Sequence, residues 1–179
     1  MGSEMCIRDR LLTACINPDG MPFTCLADVG VRKKQYIEAL NFYLKNTTRK
    51  IVFVENSGTD ISSSFKDFQH RIEFLCFDGN LCFDKRKGKG YGEALILEYA
   101  MAKSEFITDD VLIFKLTGRL QLININRLIH YMDKLSPSKN FVCVVPPQNN
   151  SVDSRCFVCN KYYLENILSL IHISEPTRP

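Results

Sequence analysis

Two periods divide the chain: short unbroken apolar runs, and longer stretches with apolar residues three and four positions apart. Leu11-Leu12-Thr13-Ala14-Cys15-Ile16 is the first run, and Asn17-Pro18-Asp19-Gly20 closes it, which reads as a strand and a turn. After an irregular segment, Tyr36, Ala39, Leu40, Tyr43 and Leu44 recur on one face of a helix beginning at Arg32, ended by Asn46-Thr47-Thr48. Ile51-Val52-Phe53-Val54 is a second buried strand running into Glu55-Asn56-Ser57-Gly58, with Asp60 or Ser62 placed to cap a shorter helix. Residues 72–77 make a third strand, 94–103 a helix, 111–116 a fourth strand and 125–135 a helix. Phe141-Val142-Cys143-Val144-Val145, stopped by Pro146-Pro147, is a fifth strand, residues 155–159 a sixth, and a last helix starts at Tyr162. Strands alternating with helices predict an α/β fold: a Rossmann-like, mostly parallel sheet flanked by helices and joined by right-handed crossovers. No internal repeat or low-complexity tract interrupts it.

The two ends read differently. Gly2 to Asp9 and the segment from Leu168 to Pro176 can be encoded by mutually complementary DNA over eight codons, and both resemble a translated sequencing-library adapter. Residues 1–10 and 168–179 are therefore expected to be non-native tails, and residues 11–167 a single domain truncated on its C-terminal side. Cys6 and His172 fall in those tails and carry no weight. Arg8, Arg10 and Arg178 balance Glu4, Asp9 and Glu175, so the body keeps the whole net charge of +3. So mild a charge argues against a protein held mainly by nucleic-acid backbone. Seven of the eight cysteines remain in the body, an odd number scattered through apolar runs, which fits a reduced, cytoplasmic compartment. No apolar run is long enough to span a membrane.

The densest candidate chemistry is where Val111-Leu112-Ile113-Phe114-Lys115-Leu116-Thr117-Gly118-Arg119 passes from a buried strand into a cation, a hydroxyl, a glycine and a second cation. Open α/β sheets bind ligands outside the carboxyl ends of their strands, where Lys115 and Arg119 are expected to emerge and receive phosphates. Gly118 suits a sharp turn or a close backbone approach. Gly88-x-Gly90-x-Gly92, just before a helix and surrounded by basic residues, offers free amides and a positive helix end to an anion, with Gly88, Lys89 and Gly90 at its centre. It lacks the GxxxxGK[ST] and GxGxxG patterns. Glu55 and Asn56 place an acceptor and an amide where a base or ribose can be read; an ordinary helix cap is the plainer account. Asp109-Asp110 sits at the amino end of its strand, away from such a site. Cys156-Phe157-Val158-Cys159 has zinc-like spacing without a second pair, and in a strand its sulfurs point to opposite faces. His70 and His130 lack partners in recognisable spacing.

Together these segments resemble the GT-A nucleotide-sugar glycosyltransferases of bacterial polysaccharide or lipopolysaccharide assembly. The parts that carry the resemblance are Thr13-Ala14 at the first strand's tip, the helix over 32–44, the Glu-Asn-Ser-Gly turn, Lys87 to Glu93 opening a helix, and Phe114 to Arg119. The resemblance implies transfer of a sugar from a nucleotide-diphosphate donor to a carbohydrate or lipid-linked acceptor, peripheral contact with a membrane being left open. It implies nucleoside contacts from Thr13, Glu55 and Asn56, and diphosphate contacts from Lys89, Lys115 and Arg119. Many such enzymes carry Asp-x-Asp at the fourth strand's end for a divalent metal. Here Lys115-Leu116-Thr117-Gly118-Arg119 takes that place, so transfer without a metal or other cofactor is expected, fixed cations supplying the positive charge. Asp153 is the candidate base within the chain; otherwise the base lies farther along. Two other readings stay open: a sugar nucleotidylyltransferase, which shares the sheet but wants a glycine-rich phosphate loop after the first strand, and a non-catalytic module whose basic edge docks an anionic polymer. Donor, acceptor, stereochemical course and oligomeric state are not written in these motifs.

Overall fold

A computed structural model of the chain describes residues 7–21, 24–79, 87–109, 112–134, 141–143 and 153–173. In order it runs β1 (Ile7–Ala14), α1 (Val29–Asn46), β2 (Lys50–Glu55), a 3₁₀ helix (Ser62–Phe68), β3 (Ile72–Cys76), α2 (Lys89–Lys103), β4 (Leu112–Thr117), α3 (Ile125–Asp133), β5 (Phe141–Cys143), β6 (Cys156–Asn160) and α4 (Lys161–Ile173). Lys85, Arg86, Asp110 and the expected strand end at 144–147 lie outside the described residues.

The strands form one six-stranded sheet in the order β3-β2-β1-β4-β6-β5. β1 through β4 are mutually parallel where they pair, whereas β6 runs antiparallel to both β4 and β5. The mostly parallel sheet expected from the alternation of elements is thus present, with an antiparallel edge that periodicity did not foretell. Unbroken apolar runs make the central strands because both faces are covered. Leu12, Phe53, Phe114 and Leu116 pack on one face with Tyr36, Leu40 and Tyr43 of α1 and Ile125 and Ile129 of α3. Leu11, Val52, Val54 and Ile113 pack on the other with Ala94, Leu97 and Ala100 of α2 and Leu164 of α4. Each such large side chain contributes roughly 1.5–3 kcal/mol by leaving water. Cys156 and Cys159 fall on opposite faces, as an odd spacing in a strand requires.

Helix α1 starts at Val29, three residues before the expected start at Arg32. Asp28 caps it, its carboxylate accepting the Val31 amide at 2.7 Å. The 3₁₀ helix has no side-chain cap, although Asp60 accepts the Ser62 amide just ahead of it. The stretches expected to be tails enter the fold: β1 begins at Ile7, the Arg10 side chain is fully buried, and Leu168 of α4 packs in the second core. Among the described residues no helix is long and apolar enough to cross a membrane.

Candidate functional site

The chain crosses from β1 outward to β2 and β3, then returns to place β4 on the opposite side of β1. At such a reversal two loops leave the carboxyl edge in opposite directions and open a crevice between them. A cleft of about 360 Å³ lies there, bounded by Thr13 and Ala14 at the end of β1, Thr117 and Arg119 at the end of β4, and the first turns of α2.

Each wall has a local cause. Gly118 donates its amide to the Thr13 carbonyl at 2.8 Å, and a Cβ at position 118 would sit 2.9 Å from that oxygen. The close approach expected of Gly118 is therefore to the neighbouring strand, and it brings the β4 exit against the tip of β1. On the other flank Arg32, almost fully buried, donates from Nε to the carbonyls of Cys15 at 2.9 Å and Ile16 at 3.1 Å, and from Nη1 to Leu26 at 3.1 Å. One guanidinium thus fastens the chain leaving β1 to the segment before α1. Tyr36, one turn on, accepts the Cys15 amide at its hydroxyl, and burial pushes that phenol above its ordinary value.

At the β2 exit the two adjacent residues singled out in the sequence part company. Glu55 is buried and does not line the cleft: it accepts the amides of Ile16 at 2.8 Å and of Ser57 and Thr59 at 2.9 Å, besides the Ser57 hydroxyl. The expected nucleoside contact from Glu55 is corrected on that ground, since its oxygens are committed to organising two loops. Burial, then the nearby Glu55 carboxylate, push the Cys76 thiol up to about 11. Asn56 does face the cleft. It is 4% exposed, and its Oδ1 is buried with no hydrogen-bond partner.

A second correction concerns Lys115. It does not emerge at the carboxyl edge; it is fully buried, bonded to Glu93 Oε1 of α2 and to the Ser154 carbonyl, with Nζ 5.4 Å from the centroid of the Phe157 ring. A lysine two residues short of the strand end points into a layer interface, where a carboxylate must meet it. Glu93, with 26% of its side chain exposed, lines the cleft, and its Oε1 also lies 3.3 Å from Thr13 Oγ1. Arg119 is exposed in the cleft and makes no hydrogen bond or ion pair among the described residues. Lys89 lines it as well, whereas Gly88 and Gly90 do not; Gly88, at φ +84°, turns the chain into α2, and Gly92 is the glycine at the wall. Asp153 stands apart from the cleft. Arg155 grips it through Nε at 2.8 Å and Nη2 at 2.6 Å, and these hydrogen bonds lower its pKa to about 2; the expected role as base is corrected because Asp153 does not line the cleft. Among the described residues no three His, Cys, Asp or Glu side chains gather as a metal site.

Cys15, Arg32, Tyr36 and Glu93 are cleft residues that motif reading passed over. Two signals pointed to them. Arg32 is a cation on the buried stripe of α1, and Lys115 inside an apolar run demands an acid that the nearby Gly-Tyr-Gly-Glu segment supplies.

No family model matches the sequence, and no curated protein matches it. Solved structures do. The glycosyltransferase GlyE of Streptococcus pneumoniae TIGR4 superposes with a TM-score of 0.56 at 11% identity, over 96% of this chain and 39% of GlyE. The 4-diphosphocytidyl-2C-methyl-D-erythritol synthase of Anaerococcus prevotii DSM 20548 gives 0.51 at 15% identity, over 99% of this chain and 81% of that one. At these identities the likeness shows the fold. The architecture is GT-A-like, a mostly parallel sheet flanked by helices that GlyE and the synthase share, and the chain spans about two fifths of the length of GlyE.

Proposed function

We propose that the chain is the nucleotide-binding part of a glycosyltransferase, moving a sugar from a nucleotide-diphosphate donor to a carbohydrate or lipid-linked acceptor. The observation that carries this reading is the cleft at the strand-order reversal, with Lys89, Arg119 and the amino end of α2 along one side and Asn56, its Oδ1 buried without a hydrogen-bond partner, within it. The nucleoside lies across the tip of β1, where Thr13 and the Asn56 amide meet it. The diphosphate lies at the first turn of α2, between Lys89 and Arg119, where helix-end amides and guanidinium donors favour an anion. Fixed cations of this kind stabilise a leaving diphosphate as a metal does, by supplying positive charge where negative charge develops. Arg119, not a carboxylate, occupies the β4 exit, so a divalent ion finds a poor donor set there and transfer proceeds without one.

The test is calorimetric titration with UDP, GDP, CDP and CMP, each with and without magnesium or manganese. Binding of one nucleotide that needs no metal and is lost in Arg119→Ala supports the clamp and names the donor class. Strict metal dependence sinks the fixed-cation account. A second reading, nucleotidyl transfer, has one observation in its favour: the chain covers 81% of the synthase against 39% of GlyE. Release of pyrophosphate from a nucleoside triphosphate and a sugar phosphate decides for it. Salt-sensitive binding of an anionic polymer, with no nucleotide bound, would point instead to a docking module.

A further inference from the structure

Glu93 faces two spaces. Beside the cleft, on the other side of this residue, lies a cavity of about 270 Å³ between α2, α4 and β6, walled by Ala94, Leu97, Phe157, Tyr163 and Leu164. Phe141 closes it, its ring centroid 5.5 Å from that of Phe157 and 5.1 Å from that of Tyr163. Glu93 is the one charged residue among its described lining, and of that lining only Leu168 falls in a stretch read as an adapter tail. Lys115 fixes Glu93 by Oε1, while Oε2 makes no hydrogen bond among the described residues.

We propose that this cavity holds the apolar substituent of the acceptor, an alkyl or aryl group on a hydroxyl-bearing sugar, and that Glu93 is the base that takes the proton from the acceptor hydroxyl. This rests on the glycosyltransferase reading. The occupant follows from the residue the two spaces share: Glu93 lines both the nucleotide cleft and this space with aliphatic and aromatic walls, so a molecule seated in both is apolar at one end and carries a hydroxyl at the carboxylate. In the step itself the acceptor O–H bond breaks and its proton passes to Glu93 Oε2. The freed oxygen pair bonds to the anomeric carbon of the donor. The bond from that carbon to the phosphate oxygen breaks, and its electron pair leaves on the nucleoside diphosphate beside Lys89 and Arg119. Lys115 is a positioning residue, holding the carboxylate so that one oxygen stays available.

The experiment titrates the whole chain, with and without saturating nucleotide, with methyl, hexyl and phenyl glucosides and galactosides. Each buried methylene is worth about fourfold in affinity. Hexyl and phenyl glycosides should bind at least tenfold more tightly than methyl ones. Ala94→Leu, which fills the cavity, should erase that preference while nucleotide affinity stays within threefold. Should that variant not fold, Tyr163→Ala, which removes a ring from the wall, should cut the preference at least fivefold. Equal affinity for methyl and hexyl glycosides, or a preference that survives both variants, overturns the cavity assignment. For the base, Glu93→Gln should lower transfer to the hexyl glycoside at least 100-fold at unchanged acceptor KM; Glu93→Gln with Lys115→Met serves if the single variant is unstable. A loss under tenfold removes Glu93 as base. Failure of every nucleotide to bind, with the hexyl preference intact, sinks the glycosyltransferase reading and the base role with it, and leaves the cavity as an apolar ligand site.

Discussion

At the exit of β2, Glu55 hands its carboxylate to donors in its own loop and in the adjoining β1 exit, all of them neutral. At the exit of β4, Lys115 reaches across to Glu93 on α2, an opposite charge brought from another layer. In both places the charged residue inside the strand is consumed by the structure, and a nearby residue, Asn56 or Arg119, faces the cleft. The difference lies in what each charge holds. Glu55 keeps two loops in shape as a local unit, and its loss should loosen one wall. Lys115 couples sheet to helix, and its loss should displace Glu93, the one acid among the described residues lining the cleft.

The sharpest break of this comparison is Glu55→Gln, which turns a doubly accepting carboxylate into an amide with one acceptor among several N–H donors. Charge-assisted bonds lost together should cost about 4 kcal/mol of unfolding free energy, measured in urea, with nucleotide affinity falling alongside. Next comes Glu93→Ala, which strands a buried ammonium and should cost about 3 kcal/mol. Adding Lys115→Met should restore most of that stability, and a double-mutant cycle showing no coupling would contradict the pairing. Arg119→Ala should behave in the opposite way, leaving stability within about 0.5 kcal/mol and weakening the bound nucleotide about tenfold to a hundredfold. The smallest effect is set by pH. Burial pushes the Cys159 thiol up to about 12 from 9.0, so between those values the unfolded chain has released a proton that the folded chain keeps. Stability is therefore undiminished below pH 9 and declines above it, and Cys159→Ala should flatten that decline in thermal melts taken across the alkaline range.

Most of the framework was legible because buried strands and amphipathic helices advertise themselves by period. The α1 stripe, the four central strands and the position of the cleft at their carboxyl edge all follow from apolar spacing and a topological rule. Individual roles were harder to read. Whether Glu55 or Asn56 faces the cleft depends on where the loops from β1 fold back, and no pattern in residues 50–59 encodes that. Lys115 looked like a ligand contact because a cation in an apolar run is unusual; the same fact, weighed against the cost of burying charge, points to an internal partner. The antiparallel placement of β6 rests on long-range packing, and Cys156 to Cys159 carry the same apolar signal in either direction.

The position of β1 at the centre of the sheet also bears on how the chain is made. Leu11 pairs with Val52 on one side and with Lys115 on the other. During synthesis the second edge of β1 therefore stays open until some hundred further residues have emerged. Ladders closed over such separations form slowly, and an apolar strand with free edge amides is a template for pairing with other chains. A nascent chain halted before residue 112 should consequently be the species most prone to aggregate and most in need of a chaperone, whereas one halted after 117 has β1 closed on both sides.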